Sequence, residues 1–168
     1  LMESFFVKGY VRLHEPDLLS ILDISDMELI DVEVNDDVED VEPPPRTPEQ
    51  LARFDAARDY LIEKYVRPLF SEFTFLSGNV WSGVDSGSAK FHNDSAEGQN
   101  CCFLVYFDDM SEEVGGALHV KYPGGVDTVY CQRGDVIWLN QQTKFLHKAD
   151  RASVLRRLAC FEFNVKGL

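Results

Sequence analysis

The sequence predicts an α+β domain in which N-terminal helices pack on one sheet of an antiparallel β-unit. Three observations predict it: a helical apolar pattern ends before Pro68, strand-like runs follow it, and no helical segment separates those runs. The chain has 168 residues, of which 45% are hydrophobic, so it can build one well-filled core. We therefore expect a single domain over residues 1–168, with a helical and acidic-loop part at 1–73 and a β-core at 74–168.

One helix in the N-terminal part has clear start and stop signals. Thr47 can cap the helix, Pro48 suits its first position, and Gln50 stands where a capping box needs its reciprocal acceptor. We predict a helix over residues 48–65 that packs on a flat surface through an apolar stripe. The stripe consists of residues at helical spacing: Leu51, Phe54, Ala57, Leu61 and Tyr65.

The second half of the chain is typical of a β-structure. Clusters of Gly, Asp and Pro separate short apolar runs, and no helical pattern lies between them. Many short strands without intervening helices indicate an antiparallel sandwich or barrel. The predicted strands are residues 100–107, 117–122, 128–131, 136–139 and 155–165.

The negative charge of the chain is concentrated in one segment. With 16 basic and 29 acidic residues the net charge is −13, and ten of the acidic residues lie between Asp23 and Glu42, where there is no Lys or Arg. Such a run is typical of a solvated loop. We expect no nucleic-acid partner, because the acidic surface would repel a polyanion, and the run favours a basic peptide or amine as substrate.

The cysteines and the hydropathy pattern indicate a cytoplasmic protein. The thiols of Cys101, Cys102, Cys131 and Cys160 show no CxxC pair and no zinc-ligand spacing, so we interpret them as reduced. No window approaches ~18 uncharged apolar residues, so we expect no membrane span. Residues 1–10 lack a basic stretch followed by an apolar run, so we expect no signal peptide.

The tripeptide His92-Asn93-Asp94 is a candidate for part of a metal site. Alternate residues on an extended chain point to the same side, so an imidazole and a carboxylate can aim at one point. If the sheet curls into a barrel, His147 can complete a set of two histidines and one carboxylate. This set leaves coordination positions open and suits non-haem Fe(II).

Arg156 lies nine residues after His147, inside the last predicted strand. A lone arginine in an otherwise apolar strand is costly unless it meets an anion, and its planar guanidinium binds a carboxylate at two points. The strand therefore places a carboxylate receptor near the candidate metal site. Neighbouring Arg157 has the opposite parity and is expected to form an ion pair on the outer surface.

These positions together resemble the iron(II)- and 2-oxoglutarate-dependent dioxygenase superfamily, and within it the prolyl-hydroxylase-like branch. The resemblance covers approximately residues 75–165 and rests on elements in the order that the family shows. These elements are His92-Asn93-Asp94, Tyr106 in the following strand, Gly115-Gly116-Ala117-Leu118, Arg133-Gly134-Asp135-Val136-Ile137-Trp138, His147 and Arg156.

The resemblance implies a double-stranded β-helix (jelly-roll) core and a specific chemistry. His92, Asp94 and His147 would hold Fe(II), and Arg156, with a hydrogen bond from Tyr106, would bind the distal carboxylate of 2-oxoglutarate. With O2 as co-substrate, and ascorbate as an optional addition, the enzyme would hydroxylate a C–H bond and convert 2-oxoglutarate to succinate and CO2. The substrate class is an amino-acid side chain, in a peptide or protein or in a small amino-acid-like molecule.

One departure from the family and two other function classes remain open at this point. Glu162 has the parity of Arg156 and is expected to point into the barrel, where hydroxylases of this branch often carry a bulky apolar residue. A non-catalytic β-barrel binding module would keep the fold without turnover. A metal-dependent cupin enzyme would use the metal without 2-oxoglutarate and would not need Arg156. The oligomeric state is left open.

Overall fold

The helices of this computed structural model belong to the N-terminal part of the chain. The structure describes residues 2–31, 42–84, 87–88 and 90–168, so the middle of the acidic run lies outside the described residues. A π-helical turn, Ile62–Val66, continues the third α-helix, and Ser95–Glu97 form a 3-10 turn. The α-helices are α1 (Met2–Val7), α2 (Asp17–Ile21) and α3 (Pro48–Leu61).

The strands form two sheets in the described part of the chain. The strands are β1 (Tyr10–His14), β2 (Ile30–Asp31), β3 (Phe73–Gly83), β4 (Cys101–Tyr106), β5 (Leu118–Tyr122), β6 (Gly125–Val129), β7 (Asp135–Asn140), β8 (Leu146–Ala149) and β9 (Arg156–Val165). A six-stranded sheet has the order β1-β7-β4-β9-β3-β2, and a three-stranded sheet has the order β6-β5-β8. All pairings are antiparallel except that of β2 with β3.

The molecule has three layers, which are the helices, the six-stranded sheet and the three-stranded sheet, and an apolar cluster lies between each layer and the next. One cluster joins the helices to the outer face of the six-stranded sheet, with Phe54 of α3 near Phe161 of β9. The other cluster lies between the two sheets, where Leu104 and Ile137 meet Leu118. Since side chains alternate along each strand, β4, β7 and β9 contribute to both clusters. The predicted α+β class, with N-terminal helices packed on one sheet, is confirmed.

The start of α3 agrees with the capping box predicted from the sequence. The hydroxyl of Thr47 accepts from the backbone N–H of Gln50, and Oε1 of Gln50 accepts from the N–H of Thr47 at 2.9 Å. The predicted apolar stripe needs one correction, because the side chain of Leu51 is 51% exposed. Gln50 takes the buried place instead, since its amide donates to the carbonyl of Asp26 at 3.0 Å.

The boundaries of the five predicted strands agree with the structure to within one residue, except for one strand. The strand predicted over residues 128–131 is β6, which begins at Gly125 and ends at Val129. The reason is a tight hairpin, in which Tyr122 pairs with Gly125 and only two residues form the turn. The structure also contains β1, β2, β3 and β8, for which we predicted no strand. Two of these, β1 and β2, come from the part expected to be helix and loop.

All four cysteines are free. The described helices include none with the length and apolar character that a membrane span requires.

Candidate active site

Two histidines meet at one edge of the three-stranded sheet. His147 lies in β8, and His92 forms an antiparallel bridge with it beyond the regular strands. The N–H of His92 donates to the carbonyl of His147 at 3.0 Å, and the reverse bond measures 2.9 Å. The ring centroids lie 4.4 Å apart. The pairing of the two backbones therefore brings together imidazoles that are far apart in the sequence.

Asp94 completes the group. Its Oδ1 lies 3.7 Å from Nε2 of His92, and its Oδ2 lies 3.4 Å from Nε2 of His147. One ligand atom from each of the three residues lies within 4.8 Å of the others. Two imidazole nitrogens and one carboxylate oxygen are a donor set that fits Fe(II), so the residues present fit the metal that the sequence resemblance implies.

The electrostatic surroundings favour the ionised form of Asp94. Burial alone would raise the pKa of this carboxyl, but hydrogen bonding and attraction from His147 outweigh burial, with smaller contributions from His92 and Gln141. The pKa of Asp94 is therefore held below its ordinary value. A ligating carboxylate must be deprotonated, and this environment keeps it so.

Neighbouring groups fix the orientation of these three candidate ligands. Nδ1 of His92 lies 3.1 Å from the carbonyl of Lys90, which leaves Nε2 to face Asp94 and His147. The side-chain amide of Asn93 donates to three backbone carbonyls, at 2.8, 3.0 and 2.9 Å, and all three lie in the segment that precedes His147. Asn93 thereby fastens the segment that carries His92 and Asp94 to the segment that leads to His147.

A cavity of about 240 Å³ opens beside this group, between the two sheets. Its lining includes His92 and His147 on one side and Tyr106 and Arg156 on the other. Trp81 of β3 also borders it. The structure therefore brings the two predicted histidine ligands and the two predicted co-substrate residues to one cavity.

Arg156 is a buried cation. The residue is 8% exposed, and Nη1 donates to the carbonyl of Asp150 at 3.0 Å. Burial lowers the pKa of Arg156, while nearby Tyr106 and Asp150 oppose that effect. A guanidinium nevertheless keeps its proton in proteins, so the cavity contains a permanent positive charge.

Tyr106 supplies a neutral hydroxyl next to this charge. The residue is 2% exposed and lies on the face of β4 that is directed at the smaller sheet. Burial raises the pKa of Tyr106 well above its ordinary value, and contact with Cys131 acts in the same direction. The phenol therefore stays protonated and can donate a hydrogen bond to an anion.

Comparison with known proteins gives a result only at the level of structure. The sequence matches no family model, and no curated protein matches it. The structure is similar to a prolyl hydroxylase from Trichoplax adhaerens, determined in complex with a hypoxia inducible factor peptide fragment, with a TM-score of 0.67 and 13% identity over 96% of this chain and 86% of that one. It is also similar to a Pseudomonas putida prolyl-4-hydroxylase, with a TM-score of 0.65 and 15% identity over 98% and 92% of the two chains. The chain has the fold of the prolyl hydroxylases.

The prolyl-hydroxylase fold also occurs in a protein whose ligands are defined. HygX from Streptomyces hygroscopicus, with nickel and 2-oxoglutarate bound, matches with a TM-score of 0.60 and 17% identity over 99% of this chain and 86% of that one. HygX has also been determined with iron bound. The predicted double-stranded β-helix core is confirmed by these matches.

Within this prolyl-hydroxylase fold, the parity of β9 separates the charged residues as predicted. Arg157 points away from the cavity and pairs with Asp108, with 2.7 Å between Nη2 and Oδ1. Glu162 lies on the inner face and accepts a hydrogen bond from the hydroxyl of Ser77 at 2.7 Å. An acidic side chain therefore does occupy the interior of the barrel.

Sequence reasoning missed one residue at this site, Gln141. It is 1% exposed, and its amide contacts Asp94 at two points. A polar pair, Gln141-Gln142, directly after an apolar strand and shortly before His147 is the only signal that pointed to it.

Proposed function

We propose that the protein is an Fe(II)- and 2-oxoglutarate-dependent dioxygenase that hydroxylates a C–H bond of an amino-acid side chain in a peptide or protein. The coupled reaction would convert 2-oxoglutarate to succinate and CO2. One observation carries the proposal: His92, Asp94 and His147 converge beside a cavity that also contains the buried cation Arg156. A binding module has no need for this combination, and a cupin that uses no oxo acid has no need for the cation.

The three ligands would hold Fe(II) and leave positions for a chelating oxo acid and for O2. When bound, Fe(II) supplies the reduced centre at which O2 oxidises the co-substrate and the substrate. The residues of the chain would contribute by orienting the groups that bind the metal and the co-substrate. The hydrogen bond from His92 to the Lys90 carbonyl would keep Nε2 available for the metal.

Arg156 would bind the distal carboxylate of 2-oxoglutarate, and Tyr106 would add a hydrogen bond. The support is their common cavity with His92 and His147, the permanent charge of the guanidinium and the protonated state of the phenol. A diacid held at one end by Arg156 would present its oxo-acid end towards the metal ligands. Charge-assisted hydrogen bonds in this buried site would add to co-substrate affinity beside the contact with the metal.

A peptide substrate is supported by the prolyl hydroxylase from Trichoplax adhaerens, which was determined with a peptide fragment bound. The expected basic character of the substrate rests on the acidic run, whose residues 32–41 lie outside the described residues. It therefore stays a prediction, and Glu162 inside the barrel is the described residue that favours it. The cytoplasmic location also stays a prediction, for which the four free thiols are the support.

The test is a turnover assay with Fe(II), 2-oxoglutarate, ascorbate and a pool of peptides. We expect succinate to form and one peptide class to gain one oxygen atom by mass spectrometry. His147→Ala should reduce succinate to background. His119→Ala is the matched control, because His119 lies on the neighbouring strand and bonds to Thr128 and Asp150 rather than to Asp94.

Two results would contradict the proposal. A wild-type protein that forms no succinate and binds no divalent metal would favour the non-catalytic module. A metal-dependent activity that is indifferent to N-oxalylglycine, a mimic of 2-oxoglutarate, would favour the cupin. Inhibition by this mimic, together with the loss in His147→Ala, would support the dioxygenase.

A further inference from the structure

We infer that Gln141 is a positioning residue that fixes the direction of the Asp94 carboxylate towards the metal. The inference rests on the proposed function, because it assumes that Asp94 is a metal ligand. Gln141 is the first residue after β7, and its side chain lies between the two sheets rather than at the surface.

The side-chain amide of Gln141 binds Asp94 at two points. Its Nε2 donates to Oδ2 of Asp94 at 3.1 Å, and its Oε1 accepts from the backbone N–H of Asp94 at 3.3 Å. The contacts themselves decide the orientation of this amide. An ionised carboxylate can only accept and a backbone N–H can only donate, so nitrogen must face Oδ2 and oxygen must face the N–H.

Gln141 is itself held on several sides. Its backbone N–H donates to the carbonyl of Asn100 at 2.9 Å, and its carbonyl accepts from the amide of Asn93 at 2.8 Å. Its Nε2 also lies 3.4 Å from the sulfur of Cys102 and 3.5 Å from Oε1 of Gln99. Gln141 is therefore held by Cys102 of β4 and by the segment between His92 and β4, which contains Asn93, Gln99 and Asn100.

The consequence concerns the freedom of the carboxylate. Asp94 lies in a loop rather than in a strand, so backbone pairing does not fix it as it fixes the two histidines. Because Gln141 binds both the backbone N–H and the carboxylate of Asp94, it restricts rotation about the side-chain bonds of Asp94. Partners of this kind typically change metal affinity 10- to 100-fold when they are replaced.

The test measures the binding of Mn(II), a redox-stable probe, to the metal-free full chain by isothermal titration calorimetry. Gln141→Met removes both contacts at similar volume, and we expect the Kd for Mn(II) to rise about 10- to 100-fold. Asn140→Leu is the matched control. Asn140 is also a buried amide, but it bonds to the carbonyl of Phe5 and the N–H of Gln142 rather than to Asp94.

The two variants separate positioning from general packing. Asn140→Leu should lower the Tm of the metal-free protein at least as much as Gln141→Met does, yet leave the Kd for Mn(II) within about threefold. Gln141→Asn, which keeps an amide but is one methylene shorter, serves as the second variant if Gln141→Met does not fold. It should weaken Mn(II) binding in the same direction.

Three results would overturn the inference. An unchanged Kd in the Gln141 variant that folds, with normal Mn(II) binding by the wild type, would remove the positioning role and leave the proposed function intact. An equal rise in Asn140→Leu would show that loose packing causes the effect. A wild-type protein without Mn(II) binding would overturn the inference and the proposed metal site together.

Discussion

Arg156 and Arg157 are chemically identical neighbours in β9 with opposite surroundings. Arg156 is buried and borders the cavity, while Arg157 points outward and pairs with Asp108. Because side chains alternate along a strand, the chain offers a matched pair in which only one guanidinium faces the cavity.

Arg156→Gln should therefore raise the KM for 2-oxoglutarate roughly 10- to 150-fold. This range corresponds to the ~1.5–3 kcal/mol of a hydrogen bond to a charged group. Glutamine can keep the bond to the carbonyl of Asp150, which limits damage to the fold. Initial rates of succinate formation at saturating Fe(II) give the measurement. Arg157→Gln should stay within twofold of the wild type, and equal effects of the two substitutions would argue against Arg156 as the receptor.

At the scale of residues, the sequence predicts the direction of a side chain where alternation along an extended chain determines it. An extended backbone is enough to predict that His92 and Asp94 point to the same side. It is also enough to predict that Arg156 and Arg157 point to opposite sides. Gln141 could not be predicted in this way, because its contacts depend on how the segment after β7 folds back on Asp94. A glutamine after a strand has no local pattern that distinguishes a buried partner of a ligand from a surface residue.

The link between β8 and β9 connects a candidate metal ligand, His147, to the candidate co-substrate receptor, Arg156. Gly115 and Gly116 pack against this link, and the N–H of Gly116 donates to the carbonyl of Arg151 at 3.0 Å. Gly115 has a φ of +83°, and a Cβ there would overlap the carbonyl oxygen of Arg151. The link therefore depends on the absence of a side chain at Gly115.

Gly115→Ala should destabilise the protein for two reasons, the left-handed backbone and the overlap with Arg151. We expect a loss of at least ~2 kcal/mol, which lowers Tm by ~4 °C or more in a chain of this size. Gly98→Ala is the matched control, since Gly98 has a φ of +88° and open space around its Cβ position. Thermal unfolding of both variants gives the comparison. Equal Tm shifts would show that the backbone at Arg151 can move away from the added Cβ without a loss of stability.

Elements with strong local signals were predicted, and elements without them were not. The capping box located the start of α3, and the apolar runs located β4, β5, β7 and β9. In contrast, β3 contains small and polar residues of low β-propensity, among them Ser77, Gly78 and Asn79. Its pairing along ten positions of β9 makes it a strand, and that tertiary contact has no local signature.

At the scale of the whole molecule, the candidate site needs both sheets. His147 lies in β8 of the smaller sheet and His92 forms a bridge with it, while Tyr106 and Arg156 lie on β4 and β9 of the larger sheet. The apolar cluster between the sheets sets their separation. Ligands that touch both sheets bind only the folded protein, so their affinity adds directly to stability.

This arrangement predicts that metal and 2-oxoglutarate stabilise the protein cooperatively. Mn(II) at 100 times its Kd should add about 2.7 kcal/mol, which raises Tm by roughly 5–11 °C. 2-Oxoglutarate should add a further increment that is much larger with Mn(II) than without it, because one end of the diacid needs the metal and the other needs Arg156. Differential scanning fluorimetry with each ligand alone and with both measures this coupling.

Two variants test which side chain is needed for the stabilisation by each ligand. His147→Ala should lose the Mn(II) increment and most of the 2-oxoglutarate increment, whereas Arg156→Gln should lose only the latter. By reciprocity, 2-oxoglutarate must lower the Kd for Mn(II) by the same factor by which Mn(II) lowers the Kd for 2-oxoglutarate. A 2-oxoglutarate shift that is independent of Mn(II) would place the two ligands at separate sites, and the common cavity of His147 and Arg156 would then have no role in joining them.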